Sequence, residues 1–111
     1  GKVMHAEVRI GDSHVFLADE FPGADTKSPD ALGSSSVTLH VYFRNVDQAF
    51  ARATDAGARP TMPPADMFWG DRFAKVVDPF GHCWSMAQHK EDVSPREMAK
   101  RAAAFPPPPA A

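Results

Sequence analysis

Residues 36–56 read SVTLHVYFRNVDQAFARATDA, and this stretch decides the fold. Apolar and polar side chains alternate through residues 36–44, and this period of two predicts a strand with one buried and one polar face. The apolar face carries Val37, Leu39, Val41 and Phe43, and the polar face carries Thr38, His40, Tyr42 and Arg44. Asp47 is the predicted N-cap of a following helix, which Gly57 is placed to end.

Residues 3–18 predict a β-hairpin on the N-terminal side of this unit, with its turn at Gly11. We expect the apolar face of its first strand to lie in the core. That face consists of Met4, Ala6, Val8 and Ile10. The stretch from Asp19 to Ser36 has no periodicity and predicts a crossover, a mobile lid, or both.

Residues 58–62 predict a short strand on the C-terminal side of the helix. Because Pro60 has no amide hydrogen to donate, this strand is expected at a sheet edge. Pro63 and Pro64 are expected to end it.

A second hairpin is predicted from residues 72–77 and 82–88. The turn between them, Asp78-Pro79-Phe80-Gly81, has Asp, Pro and Gly at the positions typical of a type I turn. Ser94-Pro95-Arg96-Glu97 is a capping box with proline at the first helical position, which predicts a helix to Ala104.

These elements predict one domain over residues 1–105. It comprises a hairpin (2–18), a strand-helix-three-strand unit (36–89) and a C-terminal helix (94–104), followed by a proline-rich tail (106–111).

Composition excludes several classes of partner. The chain has 111 residues and a formal charge of −2, so no excess of basic residues points to nucleic acid. No stretch approaches the roughly 18 consecutive apolar residues of a membrane span. Cys83 is the single cysteine, which predicts a cytoplasmic protein without a disulfide.

Four motifs in this order resemble the vicinal oxygen chelate superfamily of glyoxalases, bleomycin-resistance proteins and extradiol dioxygenases, and especially its PhnB-like branch. The motifs are Val37-Thr38-Leu39-His40-Val41, Asn45-Val46-Asp47, Trp69-Gly70-Asp71-Arg72-Phe73 and Val77-Asp78-Pro79-Phe80-Gly81-His82-Cys83-Trp84-Ser85. The resemblance implies an α+β fold of βαβββ modules, whose mixed, largely antiparallel sheets curl into a cup. The first module here lacks its opening strand and helix, so we expect a homodimer or another segment to complete the cup.

The resemblance also implies a ligand site in the cup. His40 matches a family metal ligand, whereas Ser85 stands where metal-binding members have glutamate, so either a divalent Zn, Ni, Fe or Mn ion or no metal is expected. His5 and Glu7 are the substitute ligands that the sequence offers. We predict no tight metal site from this chain alone, because tight binding needs about three positioned protein ligands.

The expected function is therefore the holding of a small organic molecule, with metal-assisted lyase or isomerase chemistry, or metal-free binding or sequestration as in resistance proteins. The candidate substrate-binding residues are His40, Tyr42, Phe68, Trp69 and Arg72. For four of them a structural role is the alternative. His40 can be a hydrogen-bonded sheet histidine, the two loop aromatics can cap the core, and Arg72 can pair with Asp71 or Asp78.

Overall fold

A computed structural model describes residues 1–105 of the chain, so the predicted proline-rich tail lies outside the described residues. The elements in chain order are β1 (Ala6–Ile10), β2 (Ser13–Leu17), α1 (Pro29–Leu32), β3 (Thr38–Tyr42), α2 (Val46–Asp55), β4 (Arg59–Asp66), β5 (Asp71–Val77), β6 (Cys83–His89) and α3 (Pro95–Ala104). Strands β1 and β2 form a two-stranded antiparallel sheet. The other four form a sheet of order β3-β6-β5-β4, in which only β3 and β6 run parallel. The predicted α+β class with a mixed, largely antiparallel sheet is confirmed.

The core lies between α2 and one face of the four-stranded sheet. Its fully buried members come from α2, β5 and β6, and they are Val46, Ala74, Val76 and Met86. Along β3 the half-buried residues Leu39 and Val41 alternate with exposed Thr38, His40 and Tyr42, as the sequence predicted. Val37 precedes the strand and is 63% exposed.

Helix α2 begins two residues earlier than predicted. The side chain of Asn45, not that of Asp47, accepts a hydrogen bond from the backbone N–H of Gln48 at 3.0 Å and caps the helix. Gly57 follows the end of the helix with a φ of +110°, a conformation that glycine adopts without strain. The predicted C-terminal helix is confirmed with Ser94 as its N-cap.

Strand β4 continues through the two prolines that were expected to end it. It runs from Arg59 to Asp66 at the edge of the sheet, and its pairing with β5 shifts register between Pro60 and Met62 and again between Met62 and Ala65. An edge strand tolerates proline because the backbone on its outward side needs no N–H donors for pairing. On the inward side, the register shifts accommodate the N–H groups that the prolines lack.

The N-terminal hairpin (β1 and β2) corrects another expectation. Met4 is 81% exposed and Val8 is 47% exposed, so the predicted burial of this apolar face is wrong for both, whereas Ala6 and Ile10 are half-buried. The strands pair with each other through Ala6–Ile10 and Ser13–Leu17, and α2 covers only the other sheet.

The segment between the hairpin and β3 is held by local hydrogen bonds. The carboxylate of Glu20 accepts from the backbone N–H of Ser28 at 2.6 Å, which lowers the pKa of Glu20. Ser28 in turn caps the short helix α1. Gly81 lies against this helix, since a Cβ at that position would come within 3.0 Å of Pro29.

Gly81 also closes the predicted turn between β5 and β6, because its backbone N–H donates to the carbonyl of Asp78 at 3.0 Å. Among residues 1–105, no helix is long and apolar enough to cross a membrane.

Candidate functional site

The face of the four-stranded sheet opposite α2 carries a row of chemically active side chains. In the strand register, His40 of β3 is opposite Ser85 of β6, and Ser85 is opposite Lys75 of β5. Paired residues point to the same face of a sheet, so these side chains share one surface. We call this surface the polar face, and its members are His40, Tyr42, Asp71, Phe73, Lys75, Ser85, Ala87 and His89.

The imidazole of His40 is fixed by three neighbours. Its Nδ1 lies 2.6 Å from the hydroxyl of Ser85, which is only 5% exposed. The ring of Tyr42 meets it edge-on at a centroid distance of 4.9 Å, and the ring of Phe73 stacks beneath it at 6.1 Å. Within residues 1–105 the only hydrogen-bond partner of the ring is Ser85, so Nε2 remains available for a ligand.

Asp71 is the buried carboxylate of the polar face, at 4% exposure. One oxygen accepts from the hydroxyl of Tyr42 at 2.8 Å and from the indole N–H of Trp69 at 3.2 Å, and the other lies 3.1 Å from Nδ1 of His89. A buried carboxylate is costly unless it is hydrogen-bonded, and these groups satisfy that need.

This arrangement also affects the groups around Asp71. The hydrogen bond to Asp71 raises the pKa of Tyr42, because an ionised phenol beside a carboxylate is disfavoured. Hydrogen bonds to Asp71 and then to Asp92 raise the pKa of His89, because both carboxylates favour the imidazolium.

The two loop aromatics have different surroundings. Trp69 lies beside the polar face, with its ring 5.5 Å from that of Phe73. Phe68 lies 5.1 Å from Phe105 after α3, and its backbone carbonyl accepts from Arg101 at 3.4 Å. Trp69 can therefore border a ligand on the polar face, whereas Phe68 packs against the C-terminal segment.

Arg72 is not brought together with His40 and Tyr42. It lies on the α2 side of the sheet, where its guanidinium donates to both oxygens of Asp47 at 2.7 and 3.0 Å and to Asp66 at 3.3 Å. The ion pairs with Asp71 or Asp78 considered from the sequence are therefore wrong. The pairing with Arg72 lowers the pKa of Asp47, since the adjacent cation favours the carboxylate.

The described residues do not fit a metal ion. Residues 1–105 contain no group of three or more His, Cys, Asp or Glu side chains placed to hold one. Nδ1 of His40 is engaged by a neutral hydroxyl, and the nearby carboxylate of Asp71 is engaged by three donors of its own. His5 and Glu7, the substitute ligands, contact each other on the separate hairpin at 3.2 Å.

A separate cleft opens on the opposite face of the same sheet. It has a volume of about 460 Å³ and lies beside α2, with the half-buried side chains of Val41 and Phe43 in its lining. Trp84 and Met86 form part of its lining, and the indole N–H of Trp84 donates to Asp78 at 2.9 Å. The two tryptophans, Trp69 and Trp84, thus mark opposite faces of the sheet.

Asp71, Phe73, Lys75, Ser85 and His89 belong to the polar face but were not among the site residues predicted from the sequence. Their shared signal is position: they occupy alternate positions in two strands that are antiparallel neighbours, beginning at Asp71 and ending at His89. The register between the two strands had to be known before this signal could be used.

Comparison with known proteins finds a matching family model and a similar curated protein. The model of the Glyoxalase/Bleomycin resistance protein/Dioxygenase superfamily matches residues 1–86. The protein Mb0911c of Mycobacterium bovis is 41% identical over 101 residues, which are 88% of this chain and 66% of that protein. The chain thus spans just under two thirds of the length of this curated relative.

Solved structures agree with this assignment. TioX from Micromonospora sp. ML1 is 30% identical with a TM-score of 0.61, and the match covers 80% of this chain and 71% of TioX. A glyoxalase/bleomycin resistance protein/dioxygenase from Nocardioides is 20% identical with a TM-score of 0.59, covering 83% of this chain and 66% of that one. The second likeness concerns the fold alone.

Proposed function

The chain belongs to the glyoxalase/bleomycin resistance protein/dioxygenase superfamily, and from this premise we propose that it holds a small organic molecule on the polar face. The observation that carries the proposal is the fixed imidazole of His40, which has Ser85 on Nδ1 and an available Nε2. A side chain that is held in place before binding loses little conformational freedom when a ligand binds. Its hydrogen bond to the ligand therefore contributes more to affinity than one from a mobile side chain.

The surroundings of His40 favour an aromatic or other planar ligand. Tyr42 is 59% exposed, so its ring is accessible, and Phe73 and Trp69 add apolar surface at the same place. Aromatic rings in contact with one another prefer offset or edge-on arrangements, and a planar ligand can extend this cluster.

Binding without a metal is the form of the function that these residues support best. Metal-assisted lyase or isomerase chemistry, the other expectation, needs ligands that residues 1–105 do not bring together. Elemental analysis of protein purified without added metal tests this choice. One equivalent of a divalent metal, lost in His40→Ala, would favour the catalytic alternative.

A titration with 2-naphthamide, a neutral planar probe, tests the binding site. The chain has two tryptophans, so two indole N–H signals in an NMR spectrum distinguish the two faces. We expect the Trp69 signal to shift on binding, the Trp84 signal to stay, and His40→Ala to weaken the affinity about tenfold. A shift of the Trp84 signal alone would place the probe in the cleft beside α2 and contradict the proposal.

We also propose that the protein is a homodimer, in which a second copy of this chain covers the exposed hairpin. Val8 and Leu17 share one face of the hairpin and are 47% and 46% exposed, while Phe16 on the other face is 65% exposed, and exposed apolar side chains grouped on one face mark an interaction site. Light scattering should give twice the chain mass, and Leu17→Asp, on the face shared with Val8, should lower it to one chain. A single-chain mass at micromolar concentration would contradict the homodimer.

A cytoplasmic location stays a prediction from the lone cysteine.

A further inference from the structure

Lys75 is a basic residue at the centre of the polar face. It lies in β5 between Ala74 and Val76, which are buried on the α2 side, so alternation places Lys75 on the opposite side. Its register partner is Ser85, and the partner of Ser85 on the next strand is His40. Neighbouring strands are about 4.8 Å apart, so the three side chains form a short row across the sheet.

The ammonium group of Lys75 has no carboxylate partner among the residues that the structure describes. None of the ion pairs within residues 1–105 includes Lys75, although the residue is half-buried. Asp71 is the carboxylate of the same face, and Tyr42, Trp69 and His89 engage it. The polar face therefore presents a cation whose charge no neighbouring acid of the described chain balances.

We propose that the molecule held on the polar face is an organic carboxylate, and that Lys75 and His40 bind its two oxygens. This inference rests on the proposed function, because it concerns the same surface. When the hydroxyl of Ser85 donates to Nδ1 of His40, the ring proton is on Nε2, which then donates to the ligand. Lys75 supplies the charge, and Ser85 is a positioning residue that orients the ring of His40.

The expected preference for an anion follows from the strength of charged hydrogen bonds. Such bonds are about twice as strong as neutral ones, and in a half-buried position the difference corresponds to about tenfold in affinity. The aromatic part of the ligand would contact Tyr42 and Phe73, so the charge adds to an interaction that a neutral probe also makes.

A matched pair of probes tests the inference. 2-Naphthoate and 2-naphthamide have the same ring system and similar size, and only the first is charged. We expect naphthoate to bind the protein about tenfold more tightly than naphthamide, and Lys75→Met to remove this difference by weakening the binding of naphthoate more than that of naphthamide. Lys100→Met, which removes an equal charge from an exposed position of α3, should preserve the difference.

The outcomes separate this inference from the proposed function. If both probes shift the Trp69 indole signal with equal affinity, the carboxylate proposal is overturned and the binding function stands. If neither probe shifts that signal, the proposed function fails and the inference fails with it. A preference for naphthoate that Lys100→Met also abolishes would reflect net charge and would overturn the role of Lys75. The two indole signals also show whether each variant is folded.

Discussion

The N-terminal hairpin and the four-stranded sheet have the same alternating sequence pattern but differ in how far their apolar faces are buried. In the sheet, alternate side chains of β3, β5 and β6 face α2, and Met86 and Val76 are buried there at 5% and 3% exposure. In the hairpin, Met4 and Val8 alternate just as regularly and remain exposed. Alternation therefore predicts a strand and its two faces, but a face is buried only where another element covers it.

The polar groups of the two regions differ in the same way. The pair of His5 and Glu7 in the hairpin has side chains that are 60% and 49% exposed. In the sheet, Asp71 is buried and collects three hydrogen-bonding neighbours. Water competes with the first pair but reaches the carboxylate of Asp71 little, so the second cluster is expected to matter more for stability.

The largest contrast is expected from a single chemical change made in both regions. Met86→Ala removes a buried side chain from the core beside α2 and should lower the free energy of unfolding by about 2–5 kcal/mol. Met4→Ala makes the same change at an exposed position and should alter it by less than about 0.5 kcal/mol. Urea denaturation measures both, and equal losses would show that the hairpin is packed as tightly as the sheet.

Glycine substitutions should give the next largest contrast. Gly70 has a φ of +99°, and a Cβ there would collide with the backbone carbonyl of Glu91 and lie 2.9 Å from Val93. Gly70→Ala should therefore cost about 2–3 kcal/mol from strain and contact together. Gly11, at the turn of the hairpin, has a φ of +62° with open space around it. Gly11→Ala should cost about 1 kcal/mol, and a greater loss at Gly11 than at Gly70 would reverse the comparison.

Local pattern was sufficient for some of these features. The faces of β3, the cap at Ser94 and the turn before Gly81 depend on residues close in sequence, and the sequence predicted all three. His40 and Tyr42 were placed on the polar face for the same reason. Their neighbours depend on how β5 and β6 pair, and no local signal specifies that register.

Long-range pairing explains the errors as well. Arg72 was expected to pair with Asp71 or Asp78, but it binds both oxygens of Asp47, 25 residues away at the start of α2, and more weakly Asp66 on the neighbouring strand. The edge position of β4 was predicted, but its continuation through Pro63 and Pro64 was missed because the register shifts that accommodate these prolines depend on the pairing with β5. The exposure of Met4 was missed because periodicity does not say what covers a strand.

A smaller contrast is expected from carboxylates. Asp71→Asn keeps the shape of the side chain but replaces charged hydrogen bonds to Tyr42 and Trp69 with neutral ones, so stability should fall by about 1–2 kcal/mol. Glu7→Gln makes the same change on the exposed hairpin and should alter stability by less than about 0.5 kcal/mol. Urea denaturation at pH 7 compares them. If the two variants lost equal stability, the cluster around Asp71 would stabilise the fold no more than the exposed pair in the hairpin does.

The smallest effect is a pH dependence that belongs to the sheet alone. Hydrogen bonds to Asp71 and Asp92 raise the pKa of His89 above its ordinary value of 6.5, so the folded state favours the imidazolium. The stabilisation is therefore fully present below pH 6.5 and is lost as pH rises through the raised pKa. The stability difference between the protein and His89→Gln should be largest near pH 5.5 and shrink towards pH 8. It should be modest at every pH, because water screens the half-exposed ring. Urea denaturation across this range measures the difference, and a difference that grows with pH would show that His89 is held in its neutral form.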